Sequence, residues 1–504
     1  MLPQDRFPDI DRMPDFPALP VPDMARLNKC IRQALLDPAG GILRRDQQGN
    51  PIFGAYIGSD SNEMITWSIV TLGEWLLGHD TAWLTPTWET FFSSAYGIYL
   101  NTPTQRSCEL WYLMYANMLA SALQQTVSPE DSAVRARFGL AADSMLRMAQ
   151  TLGYDFNHQS FRFDTLTPDT QRDAYRQPDA IAGYAYNMLF AALHADRPQY
   201  MEESHLALQR YQAMLENPWY EIPSGSAGLL AAAWLDSHGY PMDVPRMAGW
   251  LFDHDHGPLQ IGQWGGEEID GLMMGWRGNS RAAAMSSAYS METLMPLQFL
   301  LPAVRYRPQL TDAVGKFTRC VLSNFQLFYA QGKTRLYETT PEYGDAVPYE
   351  RLVESRNGHS PAACGDFFSH RSVYGSAYLL WLEALARPTS DPDIFALDLS
   401  LTDWLAKDRL PVFLLRNPFP EPRTISFTPA PIWAKLHPEL YQSDCLSAML
   451  WTFEPLASTQ VSQTVLTTLP ANSSVLVALL PAGCAPERQD HFLCYQGAEL
   501  CRLD

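Results

Sequence analysis

Several helix-sized segments of this chain open on small residues and tyrosine before turning fully apolar: Gly183-Tyr184-Ala185-Tyr186, Gly225-Ser226-Ala227-Gly228, Ser287-Ala288-Tyr289 and Gly375-Ser376-Ala377-Tyr378. Each is followed by a run such as Leu379-Leu380-Trp381-Leu382. Small side chains let helix ends crowd around a common axis, and tyrosines are suited to line the hole. The recurrence at alternate segments predicts a closed ring of helical hairpins with one polar cavity. Apolar periodicity alone fits close helix packing without a ring equally well.

The spacing predicts helices near Met24 to Asp37, Asn62 to Leu77, Thr81 to Leu100, Cys108 to Gln125, Pro129 to Leu152, Asp179 to Ala195 and Pro198 to Leu215. Further ones follow near Gly225 to Ser237, Val244 to Phe252, Ser280 to Val304, Gln309 to Ala330 and Tyr374 to Ala386. Starts such as Ser128-Pro129-Glu130-Asp131 and Gln177-Pro178-Asp179 supply a capping residue or proline where a helix needs one. Asp46-Gln47-Gln48-Gly49-Asn50-Pro51 reads as a turn. Two long connections, Asp253 to Asn279 and Gln331 to Val373, are polar and rich in glycine and aromatic residues. Loops of that length are functional or disordered, and their aromatics argue for the former, so both are expected to cover one mouth of the ring.

After Pro388 the period shortens to that of strands: Val412 to Leu415, Arg423 to Phe427, Ala448 to Trp451, Val465 to Leu469 and Ser474 to Leu480, with Pro, Gly and Asn turns between. The expected organisation is a proline-rich arm (1–23), a helical ring (24–387) and a small β-sandwich (388–504). A chain of 504 residues, 46% hydrophobic and 12% aromatic, can bury a large core, and two domains suit its length.

A formal charge of −19 with no basic cluster repels phosphate backbones and excludes nucleic acid as the expected partner. Met1 to Asp23 lacks the apolar stretch of a signal peptide, and no later run reaches the length of a membrane span. A soluble, cytoplasmic protein without a membrane partner is expected, with self-association left open. Eight cysteines lie scattered without a C-x-x-C pair, so reduced thiols are expected; a Cys484 to Cys494 or Cys494 to Cys501 bridge would need an oxidising compartment. Asp253-His254-Asp255-His256 has the residue types of a metal site but no distant partner, and a solvated loop is the preferred reading. Phosphate-binding glycine loops, a dinucleotide fingerprint and a G-x-S-x-G elbow are all missing, so no cofactor is expected.

On helix count, small-residue inner helices and aromatic long loops, residues 24 to 387 resemble the (α/α)6 toroids, or six-hairpin glycosidases. That family includes inverting glycoside hydrolases, unsaturated glucuronyl hydrolases and polysaccharide lyases. The stretch from Asn417-Pro418 through Arg423 to Phe427, with the later Leu469-Pro470-Ala471-Asn472-Ser473-Ser474 turn, looks like the β-domain that often follows a glycosidase catalytic domain. The resemblance implies a carbohydrate cleft at the mouth with carboxylates for acid and base work.

The first long loop offers Trp264, Glu267, Glu268, Asp270 and Trp276 among glycines, a combination of stacking surface and acceptors suited to a sugar. Glu268 and Asp270 lie two apart, on one face of an extended segment, and form the preferred catalytic pair. Solvated loop charges with core tryptophans are the alternative. The second loop supplies Glu338, Glu350, His359, Asp366 and His370 ahead of Tyr374. Glu350 and Asp366 are the further catalytic candidates, although Asp366 also fits a helix cap or a salt bridge with Arg371. Asp60 and Glu63 fit a capping box or, alternatively, a cavity-facing helix start that binds substrate hydroxyls. Asn117, Asn187, Glu109, Tyr184 and Tyr289 are candidates to line the ring, each also readable as a satisfied core group.

The leading expectation is therefore an inverting glycoside hydrolase acting on an oligo- or polysaccharide. A uronate lyase or epimerase using His359 or His370, Tyr289 or Tyr374, and Arg277 or Arg281 is the second. A carbohydrate-binding protein without chemistry is the third.

Overall fold

The computed structural model describes residues 4–37, 42–57, 61–127, 129, 131–264, 267–277, 287–329, 347–353, 362–364, 371–442, 446–449, 464–481 and 484–503. Its helices are α1 (Pro8–Arg12), α2 (Met24–Leu36), α3 (Met64–Leu76), α4 (Leu110–Val127), α5 (Ser132–Thr151), α6 (Ala180–His194) and α7 (Tyr200–Gln212). They continue as α8 (Ile222–Ser237), α9 (Val244–Leu251), α10 (Ser290–Leu294), α11 (Leu297–Tyr306), α12 (Thr311–Asn324) and α13 (Val373–Leu385).

Helices α3, α4, α6, α8 and α13 are apolar on nearly every face and almost wholly buried, the pattern of a helix with neighbours all round. They neighbour one another in a closed circuit: α3 with α4, α4 with α6, α6 with α8, α8 with α11, α10 with α13, and α13 with α3. Met295 and Pro296 interrupt the fifth member, leaving α10 and α11 as two parts of one inner position. Outside this ring, α2 lies on α13, α5 and α7 on α6, α9 on α8, and α12 on α11. These outer helices are amphipathic, with charged residues outward.

Close approach of the inner helices depends on their glycines. A β-carbon on Gly228 would sit 2.5 Å from that of Ala182, and one on Gly183 2.8–2.9 Å from Met118, Met114 and Ser224. The small residues at the helix starts thus set the ring's radius.

Two expected helices differ: in the one expected near Ser280 to Val304, Ser287–Tyr289 is a strand and the helix begins only at Ser290, and a second is not formed. Thr81 to Leu100 is a 3-10 helix (Thr85–Phe91) on α3 followed by the paired strands Phe92–Ser93 and Ile98–Tyr99. Threonines 85, 87 and 90 around Pro86, then Ser93, Ser94 and Gly97, favour turns over a long helix. The expected turn after Asp46 is present, with its carboxylate accepting from the amides of Gln48 and Asn50 at 2.9 and 2.8 Å.

The proline-rich arm lies along α12. Asp5 makes a two-pronged pair with Arg307 at 2.9 Å, Asp15 pairs with Arg416 at 2.6 Å, and Gln326 donates to the Pro20 carbonyl at 2.6 Å. After α13 the chain passes directly into an antiparallel five-stranded sheet ordered Ala386–Pro388, Phe395–Asp398, Val412–Asn417, Ser473–Leu480, Leu446–Met449. Arg423–Phe427 pairs with Val465–Leu469, and the last three strands form a meander over residues 487–502. This β-rich part closes the end of the ring where the inner helices finish. There His194 of α6 bonds the Leu405 carbonyl at 2.9 Å, His238 after α8 meets Glu499 at 3.1 Å, and Arg305 of α11 donates to the Leu500 carbonyl at 3.1 Å. The helix starts lie at the other end of the ring, away from this β-rich part.

Among the described residues, no helix is long and apolar enough to cross a membrane, and Cys484, Cys494 and Cys501 are unbridged.

Candidate active site

An acid stands at the start of five of the six inner positions. Glu63 is the residue before α3, Glu109 before α4, Asp179 before α6 and Glu221 before α8, while Glu292 lies in the first turn of α10. Glu350, from the second long loop, joins them: its carbonyl accepts from the Ser290 amide at 2.8 Å and its carboxylate from the Tyr56 hydroxyl. Tyr112 of α4 marks the centre. Burial first, then the charges of Glu63, Glu221, Glu109 and Glu350, raise its phenol well above the ordinary range.

Most of these carboxylates are fixed by neutral donors. Gln159 and Gln177 hold the two oxygens of Glu109 at 3.1 and 3.3 Å. Ser61, Asn101 and the Tyr374 hydroxyl hold Glu63. Asp179 accepts from the amides of Tyr220 and Glu221 at 3.0 and 3.3 Å, and Glu292 from the Ile222 amide at 2.9 Å. The first amides of α8 are thus capped by acids from the neighbouring inner helices, where the positive end of a helix stabilises negative charge.

Glu221 itself has no such anchor. Its side chain is buried and Oε2 has no hydrogen-bond partner. Burial, then Glu292, Glu109, Asp179 and Glu350 in turn, hold its proton well above the usual carboxylate range. Burial also raises Glu292, with Asp179 adding to it and the Ile222 amide opposing. For Asp179, burial outweighs the two backbone donors and the nearby Arg277, leaving its carboxyl pushed up to about 7. At neutral pH the ring therefore holds at least one proton on a group facing other carboxylates. A carboxyl that keeps its proton beside other carboxylates is the setting for general acid work.

The aromatic rim is built by both long loops. Met274 of the first and Arg351–Val353 of the second each pair with the strand Ser287–Tyr289. Trp276 meets Tyr289 edge-on with ring centres 5.4 Å apart, and Tyr175 meets Trp276 at 6.5 Å. Gly275 allows this, since a β-carbon there would fall 2.3 Å from the Tyr289 ring. Arg351 lies 3.3 Å from the Tyr289 hydroxyl. Arg277 donates its amide to the Tyr220 carbonyl at 3.0 Å and leaves its guanidinium exposed, 3.7 Å from Glu216.

Of the residues singled out in the sequence, Glu63, Trp276, Arg277, Tyr289, Glu350 and Tyr374 come together here. Glu63 precedes the helix rather than sitting in its first turn, so it forms no capping box and turns to Tyr374 instead. Glu268 and Asp270 lie elsewhere. Their segment pairs Gln263–Trp264 with Glu267–Glu268 in a hairpin, Glu268 is exposed, and the Asp270 carbonyl accepts from Asn324 at the end of α12. Asp270 is raised first by burial and also by Glu268, and lowered by the Gly262 amide, Lys316 and Arg12, which places it by the outer helix and the arm. Trp264 and Glu267 are described only as members of that hairpin. Asp60, Arg281, Glu338, His359, Asp366 and His370 lie outside the described residues.

Asn117 and Asn187 are satisfied core groups that bond the Leu113 and Gly183 carbonyls of their own helices at 2.8 and 2.9 Å. Tyr184 turns outward to Glu203 of α7 at 2.8 Å. In the Asp253 to His256 loop, Asp253 accepts from the amides of Asp255 and His256, both at 2.9 Å, and among the described residues no acid or imidazole group has the arrangement of a metal site. A separate cavity of about 870 Å³ at the opposite end, lined by Lys29, Arg32, His79 and Glu383 among others, is remote from the acid ring in the fold.

Six inner helices starting at one mouth, wrapped by outer segments, settle the architecture. The chain is an (α/α)6 toroid. No protein-family model matches it, and no curated protein sequence matches it. Solved structures similar to it include cellobiose 2-epimerase from Spirochaeta thermophila, at 12% identity and a TM-score of 0.43 over 71% of this chain and 96% of that one. A family 76 glycoside hydrolase from a bovine Bacteroides thetaiotaomicron strain matches at 9% identity and 0.42 over 72% and 76%. An unsaturated glucuronyl hydrolase from a Bacillus species matches at 13% identity and 0.41 over 71% and 94%. At these scores the likeness bears on neither the reaction nor the site residues.

Proposed function

We propose that this toroid is a glycoside hydrolase whose general acid is Glu221 and whose base is Glu350. The observation that carries the reading is the buried Glu221 carboxyl, whose Oε2 has no hydrogen-bond partner and whose burial among other carboxylates strengthens its hold on a proton. A proton held there is available to the glycosidic oxygen.

In the proposed reaction a sugar ring rests on the Trp276 and Tyr289 rim. Glu221 gives its proton to the leaving oxygen as the anomeric C–O bond breaks. Glu350, oriented by the Tyr56 hydroxyl, takes a proton from a water whose oxygen bonds to the anomeric carbon. Solvent then returns the proton from one carboxyl to the other. Inversion is the expected course, and inverting glycosidases in general hold their two carboxyls about 6.5–9.5 Å apart. The first-formed anomer, read by proton NMR, reports it.

The test is release of reducing ends from a panel of neutral, amino and uronic oligosaccharides by the wild type and by Glu350→Gln. General acid and base assistance is worth about 10²–10⁴-fold. Loss of that size with an unchanged melting temperature supports the assignment, and wild-type turnover in the variant removes Glu350 from the mechanism. A uronate lyase or epimerase is the second reading, on the single observation that Arg351 stands 3.3 Å from the Tyr289 hydroxyl, a cation beside a proton-carrying group. Formation of an unsaturated or epimerised product, without net hydrolysis, would favour it.

A further inference from the structure

Two buried acids elsewhere are neutralised by arginine, while Asp398 is held by the Trp433 indole and two backbone amides. Glu74 is clasped by Arg32 at 2.6 and 2.8 Å, and Asp403 by the buried Arg305. The site gathers several such acids and gives none of these four an arginine: Glu63, Asp179, Glu221 and Glu292 make no ion pair, and every hydrogen bond to them comes from a hydroxyl, a side-chain amide or a backbone amide. Glu221 Oε2 and Asp179 Oδ1, on residues 8% and 1% exposed, have no hydrogen-bond partner at all. Uncompensated buried charge is expensive, and only a proton or a cation relieves it.

Among the described residues, the arginines near this gap form no ion pair with these four acids, although Arg277 is close enough to oppose the rise of Asp179. Arg277 stands at the rim near Glu216, Arg351 by the Tyr289 hydroxyl, and Arg371 over the Tyr349 ring at 4.4 Å while donating to the Val347 carbonyl at 2.6 Å. A ligand that brings an ammonium group takes the place of a proton on the ring and donates to the orphaned acceptors. One that brings a carboxylate adds to the repulsion.

We propose that the acid ring selects sugars bearing a protonated amine over uronic acids, with Glu63, Asp179 and Glu292 as the recognising groups. This rests on reading the ring as the sugar site, but not on the direction of the chemistry there.

The experiment is calorimetric titration of the full chain at neutral pH with three matched monosaccharides: glucosamine, glucose and glucuronate. The galacto and manno series are run alongside so that ring configuration is not mistaken for charge. In at least one series the amine should bind at least tenfold more tightly than the uronate and more tightly than the neutral sugar. Glu63→Gln should cut the amine-to-neutral ratio several-fold, while Glu268→Gln leaves it unchanged. Equal affinities, a preference for the uronate, or no binding in any series would overturn the proposal. Amine-selective binding without cleavage of any glycan would sink the hydrolase reading and leave this one standing. Cleavage of neutral glycans with no amine preference would do the reverse.

Discussion

At the residue scale, the acids of the mouth are defined by what surrounds them more than by what they are. Asp179, 1% exposed, lends one oxygen to two amides of α8 and leaves the other without a partner. Its folded pKa of about 7 lies above that of an unfolded aspartate, so between roughly pH 4 and 7 the folded state keeps a proton that the unfolded state has lost. Stability from this group is present at low pH and falls as pH rises through that window, by about 1.4 kcal/mol per unit. Asp179→Asn keeps the acceptor and removes the titration. Its melting temperature should therefore fall less than the wild type's between pH 4 and 7; an identical slope would show that Asp179 does not hold the proton. Glu63, Glu350 and Tyr374 were legible as isolated candidates, but Glu221 and Glu292 were not. The missed signal is positional: an acid beside five of the six inner-helix starts, as in Cys108-Glu109-Leu110 and Tyr220-Glu221-Ile222. Glu268 drew attention through its local company of Trp264 and glycines, which says nothing about which loop reaches the mouth.

At the element scale, the ring is held to its radius by missing side chains. Gly228 faces Ala182 so closely that a methyl group would fall 2.5 Å from its β-carbon and 3.2 Å from its α-carbon, and backbone cannot swing aside as a flexible side chain would. Gly228→Ala should cost about 1–3 kcal/mol by overpacking, even though alanine favours helix. Thermal denaturation checks the sign, and a stabilised variant would mean that α6 and α8 are not in contact there. Inner helices were readable because apolar residues fill them on all sides, and so were the strands at Val412, Arg423, Val465 and Ser473. Thr81 to Leu100 misled because its tryptophans and phenylalanines have the spacing of a helix while its threonines, serines and proline specify turns. The choice between ring and open bundle depends on long-range contacts such as α13 with α3, which periodicity does not encode.

At the scale of the whole molecule, the β-rich C-terminal part plugs the end opposite the mouth. Arg305, 1% exposed on α11, pairs with Asp403 and donates to the carbonyls of Glu499 and Leu500, while Tyr306 donates to Asp403 at 2.8 Å. Arg305→Met would leave Asp403 buried without its ion-pair partner, with only the Tyr306 hydroxyl, the Ala406 amide and the charge of Arg409 nearby, a loss of about 3–5 kcal/mol for a broken buried pair. Its melting temperature should drop by several degrees, and an unchanged value would mean that the plug is not joined to the ring through this residue. The central claim is that the ring, and not the Glu268 hairpin, assembles the chemistry. Turnover of one cleaved glycan by Glu221→Gln and Glu268→Gln, measured side by side with their melting temperatures, tests it most directly. The account predicts at least about a hundredfold loss in the first, at unchanged stability, and near-wild-type turnover in the second. Full activity in Glu221→Gln with a collapse in Glu268→Gln would contradict it.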